Sequence, residues 1–335
     1  MRGVELWPLI EYNAVVCCIG VSLALEGENV ARLSVRLLGP LQVTLDGEPV
    51  TAFESDKVRA LLAFLVTEAG SQHRRERLAG LLWPERSESV ARNNLRVALA
   101  NLRKAIGDRT AFGDRQATPS FLIITRQTLQ FNLESDAWSD VAAFAALLES
   151  QSTTKRTVQR LEEAVRLYRG DFMEGFSLPG SAALEEWVLL TRERLGRQVR
   201  TTLQRLTRYH QGRGAYERAL RYARGQAALA PWEEQGQRQV MRLLALTGQR
   251  NAALVQYESL CQILAEELGV EPEDETTALY QRIRNRTDPS SPPFGLAHNL
   301  PAPLTSFVGR EAELAAIAGR LRDPACRLLT LVGPG

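Results

Sequence analysis

The stretch from Arg74 to Lys104 constrains the fold of this chain more than any other segment. Its second half carries apolar residues at the i, i+3, i+4 and i+7 spacing of one helix face, which predicts a stripe buried in its own domain. The opposite face has four cations and no acid between Ser89 and Gly107. The predicted buried residues are Leu95, Ala98, Leu99, Leu102 and Ile106. The predicted outer face comprises Ser89, Arg92, Asn93, Arg96, Val97, Ala100, Arg103 and Lys104.

The composition of that outer face suits a helix that reads DNA. The major groove admits a helix, Arg makes two hydrogen bonds to a guanine edge, and Asn does the same for adenine. Small residues between the long cations allow close approach. The alternative is a basic amphipathic helix that lies in water or binds an acidic protein, since cationic helices are common. The sequence around the helix favours DNA.

Two shorter helices are predicted before it. Val58, Leu61, Leu62 and Leu65 share one helix face, with Ser55 as a cap and Gly70 as the end. A short helix from Arg75 to Leu82 stops at Pro84, and Ser87 or Ser89 caps the long helix. Three helices in this order predict a helix-turn-helix unit.

Strand patterns are predicted on both sides of the helices. Phe121 and Ile123, then Leu129 and Phe131, alternate with polar residues and predict a hairpin, or wing, with Arg126 near its tip. Ahead of the helices, alternating residues surround Asp46-Gly47, a strong hairpin-turn signal.

This order, together with the runs LLWPE and ARNNLRVALANLRKAIG, resembles the DNA-binding domain of the antibiotic regulatory protein (SARP) family, which is related to the OmpR-type winged helix of phosphorelay effectors. The resemblance implies a recognition helix in the major groove and a wing in the flanking minor groove. By position, it implies base or adjacent phosphate contacts from Arg92, Asn93, Arg96 and Arg103, and backbone contacts from Lys57, Lys104 and Arg126.

Composition bounds the class. A chain of 335 residues with 44% hydrophobic and 24% charged residues predicts two or three globular domains. The net charge of +2 does not identify a nucleic-acid partner, so the local charge matters more. Neither the cysteines nor the histidines have ligand spacing, which predicts a reducing cytoplasm, no metal site and no cofactor. They are Cys17, Cys18, Cys261, Cys326, His73, His210 and His298.

Residues 1–33 match no pattern in the rest of the chain and are predicted to be a disordered extension. Ala14 to Leu25 is apolar but too short to span a bilayer. Glu5 and Glu11 lie where a signal peptide carries positive charge. We therefore expect no membrane association.

From 136 to 286 the sequence predicts an all-α domain of seven helices. Gly214, Ala219 and Leu220 recur 34 residues later as Gly248, Ala253 and Leu254, which is the period of tetratricopeptide helix pairs. The predicted helices are Ala142–Leu148, Thr157–Arg169, Ala183–Tyr209, Tyr216–Ala230, Glu233–Leu246, Asn251–Leu268 and Thr276–Ile283.

Several short motifs in this region resemble the bacterial transcriptional activator domain, which follows the winged helix in the SARP family. They are Asp140-Val141 with Phe144, the run LYRGDF from Leu167, Trp187, the run PWEE from Pro231, Tyr257, and the run LGVEP from Leu268. The resemblance implies a homodimer or tandem assembly on DNA and contact with RNA polymerase holoenzyme.

The C-terminal segments differ in character. Residues 287–303 are rich in Pro and Ser and predict a linker. Residues 304–335, with Phe307 to Glu311 and a strand from Arg327 to Val332, resemble the entry to a STAND-type P-loop ATPase domain. Gly333 and Gly335 supply only the opening of the loop, without the Lys and Ser or Thr that hold phosphate and magnesium. We therefore expect no nucleotide binding and a truncation of a longer regulator.

The fold prediction is mainly α, with an α+β winged helix (34–133) followed by a TPR-like helical domain (136–286). The functional prediction is a cytoplasmic, sequence-specific activator of transcription that binds double-stranded DNA at direct repeats. A partner-binding helical scaffold with a non-specific basic winged helix is the main alternative. A nucleotide-driven switch would need the missing ATPase region. An enzyme has no support, because no acid-base pair or nucleophile constellation is clustered in the sequence.

Overall fold

A computed structural model describes residues 32–108, 120–149 and 155–285, together with Ile317, Gly319 and Arg320. The chain forms two compact units, Met1–Asn285 and Arg286–Gly335. The predicted extension up to residue 31, the linker, the incomplete P-loop at Gly333 and Gly335, and three of the four cysteines lie outside the described residues.

The first sheet in the described residues has four strands in the order β3-β2-β1-β7. Its strands are β1 (Leu33–Arg36), β2 (Gln42–Leu45), β3 (Glu48–Pro49) and β7 (Ala137–Ser139). β2 and β3 are joined at Asp46 and Gly47, whose φ angles of 51° and 85° fit the tight hairpin turn that this dipeptide predicts. β7, which comes after the predicted wing, pairs with β1 in parallel. The sheet is therefore completed by a strand from much later in the chain.

Three helices follow β3: α1 (Asp56–Thr67), α2 (Arg75–Leu82) and α3 (Glu88–Ala105). Ser55 and Ser87 occupy the N-cap positions, but neither side chain makes a capping hydrogen bond. α1 ends at Thr67, before the predicted stop at Gly70. α2 has the predicted bounds, because Trp83 leaves the helix immediately before Pro84.

A second sheet carries the predicted hairpin, with β5 (Leu122–Ile124) and β6 (Thr128–Phe131) antiparallel and β4 (His73–Arg74) on the other side of β6. The predicted alternation was wrong at Ile123, which is 44% exposed, whereas Leu122 is buried. Strand alternation starts at Leu122, while Phe121 is buried from the bend before it, where its N–H donates to Asp108. Three helices followed by this hairpin are the element order that the sequence predicts.

The second half is helical, as predicted. Gly214 and Gly248 each lie in the short turn between two consecutive helices. Their φ angles of 70° and 78° are a left-handed conformation that glycine adopts without strain. Ala219 and Ala253 are fully buried, so the 34-residue repeat corresponds to helix packing. The helices are α4 (Asp140–Leu148), α5 (Lys155–Leu167), α6 (Ala182–Gln211), α7 (Tyr216–Leu229), α8 (Glu234–Leu246), α9 (Arg250–Ile263, continued by a π-helical turn Leu264–Leu268) and α10 (Asp274–Asn285).

The two halves share one hydrophobic core, which includes residues from Leu33 to Leu203. Trp187 of α6 lies between Phe64 of α1 and Phe172, with ring centroids 4.9 and 5.5 Å away, and its Nε1 donates to Glu68 at 3.0 Å. A tryptophan that packs its ring and satisfies its N–H in this way contributes strongly to an interface. The first half, which contains β1–β7 and α1–α3 and is called the helix-turn-helix half, is therefore packed firmly against α6.

Candidate nucleic-acid interface

Helix α3 buries the face that its sequence predicts. Leu95, Ala98, Leu99, Leu102 and Ile106 are all at most 6% exposed. On the opposite face, Arg92, Asn93, Arg96 and Lys104 are exposed, together with Ser89, Val97 and Ala100. Arg103 differs from the prediction because it is only half-buried beside the core. The cationic face of α3 is thus available to a partner.

Arg92 is less free than the sequence suggested. Its guanidinium lies 2.7 Å from Glu88, one turn earlier on α3, and 3.8 Å from Glu76 on α2. Glu88 immediately precedes Ser89, where the acid-free segment of the sequence begins. Glu76 reaches Arg92 through the packing of α2 on α3. Both pairs are about half exposed, so they are weak and a stronger anion would displace them.

Asn93 and Arg96 form a second pair on this face. The Arg96 guanidinium donates to the Asn93 side-chain oxygen at 3.1 Å, one turn apart on α3. Such a contact orients both side chains in the absence of a ligand. In the described part of the chain, Arg96 has no carboxylate within 4.0 Å, so its remaining donors are available to base edges or phosphates.

Arg103 lies toward the wing. Its Nε is 4.0 Å from the buried Asp108 carboxylate, which also accepts hydrogen bonds from Ser120 at 2.6 Å and from the Phe121 amide at 2.9 Å. Asp108 therefore connects the end of α3 to the start of the hairpin. This position favours a structural role for Arg103, while Lys104 beside it is exposed.

Lys57 is used by the protein itself. Its Nζ donates to the Leu82 carbonyl at the end of α2 at 2.7 Å and lies 5.1 Å from the centre of the Trp83 ring. Burial lowers the pKa of Lys57, the neighbouring Arg86 lowers it further, and Glu85 opposes the shift. These contacts favour anchoring of α1 to α2 over the predicted contact with DNA.

Replacing Lys57 by methionine is expected to lower the free energy of unfolding by about 1 to 2 kcal/mol, because a charge-assisted hydrogen bond and a cation–π contact are lost while the apolar stem remains. Chemical denaturation measures this. Arg59→Met is the control. Among the described residues the Arg59 side chain makes only an exposed pair with Asp56, so its loss should change stability by less than about 0.5 kcal/mol. Equal stability of both variants would contradict the anchoring role.

Arg126 is exposed at the tip of the hairpin, as predicted. The tip is closed by Thr125, whose hydroxyl accepts from the Gln127 and Thr128 amides at 3.2 and 2.8 Å. A turn fixed by its own side chain holds Arg126 away from the sheet. The wing therefore presents one cation to solvent.

Sequence reasoning missed two features of this surface. Val90, 45% exposed, joins Val97, 53% exposed, as an apolar component of the outer face of α3, and the helical periodicity used for the other residues places it there. Asn101 is buried and its side chain accepts from the Glu54 amide at 3.1 Å, fixing α3 to the segment before α1. No local pattern in the sequence marks that contact, because Glu54 is 47 residues away.

The described ranges contain neither a candidate metal site nor a candidate membrane span. Within them, no three His, Cys, Asp or Glu side chains are grouped as a metal ion would require. No helix in the same ranges is long and apolar enough to span a bilayer.

Comparison with known proteins agrees with this architecture. Residues 139–284 match the family described as the bacterial transcriptional activator domain. The matched segment begins at the last residue of β7 and covers α4 to α10 nearly to its end. Together with the similarity to AfsR and EmbR, this match supports a SARP-type transcriptional regulator.

The chain is similar to regulatory proteins of Streptomyces and Mycobacterium. It is 27% identical over 305 residues to the regulatory protein AfsR of Streptomyces griseus, covering 86% of this chain and 29% of that protein. It is 29% identical over 275 residues to the transcriptional regulatory protein EmbR of Mycobacterium tuberculosis, covering 75% of this chain and 63% of that protein. The chain thus spans less than a third of its AfsR relative.

A solved structure shares the fold. The structure of Mycobacterium tuberculosis EmbR in complex with a low affinity phosphopeptide superposes with a TM-score of 0.53 at 24% identity, covering 76% of this chain and 65% of that one. The mainly α architecture, with a small N-terminal sheet region followed by a helical domain, is therefore found in a known protein.

Proposed function

We propose that this protein is a sequence-specific DNA-binding activator of transcription. The outer face of α3 carries this proposal: Asn93, Arg96, Val97 and Lys104 are exposed on the side of the helix opposite its buried stripe. Asn and Arg supply the donors and acceptors that distinguish adenine and guanine in the major groove, and valine methyls suit the thymine methyl group.

The other cations have supporting roles in this proposal. Arg126 at the hairpin tip reaches the flanking minor groove, and Lys104 contacts phosphate. Arg92 exchanges its weak pairs with Glu88 and Glu76 for DNA. Arg103 orients the end of α3 through Asp108 and meets an adjacent phosphate. Positioning contacts of this kind raise affinity for all sequences, whereas specificity rests on Asn93 and Arg96.

Two or more copies bind directly repeated half-sites, with recognition helices in successive major grooves. The half-site spacing is then one helical turn, about 10 to 10.5 base pairs. The helical half holds the copies together and presents the complex to RNA polymerase. The activator-domain match and the similarity to regulatory proteins support this part of the proposal.

The test is selection of binding sites from random DNA with the full chain, followed by affinity measurements for the selected site and a scrambled duplex across a salt series. We expect a repeated motif that is preferred by at least about a thousandfold at moderate salt. Equal affinity for both duplexes that falls together with salt would leave only a basic surface.

That second outcome would favour a partner-binding scaffold. The helical half exposes several large apolar side chains that a protein partner would cover, namely Trp232, Val255, Leu268 and Val270. Binding of a protein through them would depend little on salt, in contrast to the DNA affinity.

A further inference from the structure

Helix α6 carries a stripe of arginines, Arg194, Arg197, Arg205 and Arg208, which we call the α6 stripe. At about 100° per residue these four positions fall within about 80° of one another, on the side opposite the buried Leu195, Val199 and Leu206. Three of the arginines are exposed and Arg205 is half-buried. At 1.5 Å per residue the stripe is roughly 21 Å long.

The charge of the stripe is almost uncompensated. Arg197 pairs with Glu193 at 3.0 Å. Within the described ranges, Arg194, Arg205 and Arg208 have no carboxylate within 4.0 Å. An ordinary solvated helix intersperses acids at i, i+4 to compensate such charges, and like charges at this spacing repel one another. Intrahelical stability therefore does not explain the stripe, and a polyanionic partner would relieve the repulsion.

The position of the stripe indicates which polyanion. Ala183 and Trp187 lie in the same angular sector of α6 as the stripe and contact the helix-turn-helix half: Trp187 packs on Phe64, and both line a cleft with Leu81 of α2. The Ser181 hydroxyl, just before α6, donates to the Leu81 carbonyl. The helix-turn-helix half thus contacts the N-terminal part of one face of α6, and the stripe lies further along the same face.

We propose that the α6 stripe contacts the phosphate backbone of duplex DNA flanking the site read by α3. This inference rests on the proposed function, because the DNA must first be held by the helix-turn-helix half. Duplex DNA carries one charge per about 1.7 Å of axis, so a 21 Å stripe faces phosphates along its whole length. An acidic protein would be a weaker match, because protein interfaces need an apolar centre. The exposed Leu190 lies on the same line of α6 but outside the stripe, and Thr201 is the residue enclosed by it.

Such contacts carry no sequence information, so they predict dependence on duplex length. The variant Arg194→Gln/Arg197→Gln/Arg205→Gln/Arg208→Gln keeps good helix formers at every position and should fold normally. Its affinity is measured on a duplex trimmed to the selected motif and on one extended by about two helical turns on each side. Thermal unfolding of the variant checks that the helix is intact.

On the extended duplex we expect affinity to fall at least about tenfold, and the slope of log affinity against log salt to decrease by about 3.6, since each of the four phosphate contacts contributes about 0.9. On the trimmed duplex the affinity should stay within about twofold of the wild type. The preference for the motif should persist on both.

A charge-matched comparison controls for the change in net charge. Arg194→Gln/Arg208→Gln removes two charges from the stripe, and Arg282→Gln/Arg284→Gln removes two exposed charges from α10. We expect only the first pair to reduce the slope on the extended duplex, by about 2. Equal effects of the two pairs would show a general charge effect and overturn the proposal.

The two proposals fail differently. If the wild type shows no motif preference on either duplex, the proposed function is wrong. If the wild type prefers its motif and the fourfold variant retains the wild-type slope on the extended duplex, only the α6 contact is wrong, and an acidic protein becomes the better partner for the stripe.

Discussion

Replacing Asp140 by alanine is expected to lower the free energy of unfolding by about 3 to 5 kcal/mol, the loss typical of breaking a buried charged network. The Asp140 carboxylate is 1% exposed and accepts the Leu37 amide at 2.8 and 2.9 Å and the Leu38 amide at 2.9 Å. Arg169 lies 3.7 Å away. Alanine would leave two buried N–H groups without an acceptor and Arg169 without its counter-charge.

The burial of Asp140 explains why the expected loss of unfolding free energy is large yet smaller than the summed strength of its hydrogen bonds and ion pair. Burial raises the pKa of Asp140, and the amides of Leu37 and Leu38 and the Arg169 guanidinium oppose that rise. The network therefore offsets a desolvation cost. It also joins the end of β1 to the start of α4, so its loss loosens the junction between the two halves.

Urea titration followed by far-UV circular dichroism measures this change. An unchanged m-value would show that the folded and unfolded states of the variant are as compact as those of the wild type. Asp136→Ala is the matched control, since the Asp136 side chain is exposed four residues earlier, and it should alter stability by less than about 0.5 kcal/mol. A loss of under about 1 kcal/mol for Asp140→Ala would contradict the junction role.

The second large effect concerns recognition. Replacing Asn93 and Arg96 together by alanine is expected to cost about 2 to 6 kcal/mol on the selected DNA site, because each good bidentate base contact contributes about 1 to 3 kcal/mol. Affinity for scrambled DNA should change far less. Alanine is an excellent helix former, so α3 is expected to keep its fold. Titration of both duplexes at one salt concentration measures the loss of discrimination.

Three single variants make this test specific. Arg92→Ala should cost less than Arg96→Ala, because the guanidinium of Arg92 must first leave Glu88 and Glu76. Lys104→Ala should weaken both duplexes about equally, as expected for a phosphate contact. Undiminished discrimination by the Asn93/Arg96 variant would show that another surface reads the sequence.

The sequence predicted the local elements well where a single period dominates. The stripe of α3 obeys the 3.6-residue repeat so closely that its buried residues and most of its exposed face follow from spacing alone. The Asp46-Gly47 turn followed from backbone preferences that no distant contact changes. The register of β5 was harder to predict, since Phe121 is buried by a bend just before the strand.

The candidate site was only partly predictable, because charge patterns do not specify partners. Lys57 and Arg92 look alike as basic residues, yet packing of α2 against α1 and α3 brings the Leu82 carbonyl to one and Glu76 to the other. Exposed cations such as Arg96, Lys104 and Arg126 keep the surface position that their sequence context indicates, since none of the described segments packs over them.

The sequence by itself determined the helices, the turns, the 34-residue repeat and the cationic face of α3, because these depend on periodicity and on interactions within a few residues. Only the tertiary structure decided that β7 completes the first sheet, that Asp140 binds Leu37 and Leu38, and that the α6 stripe continues the face docked on Phe64. The physical reason is that these contacts join residues about a hundred or more positions apart. Local preference carries no information about such pairs, and burial in the shared core selects them.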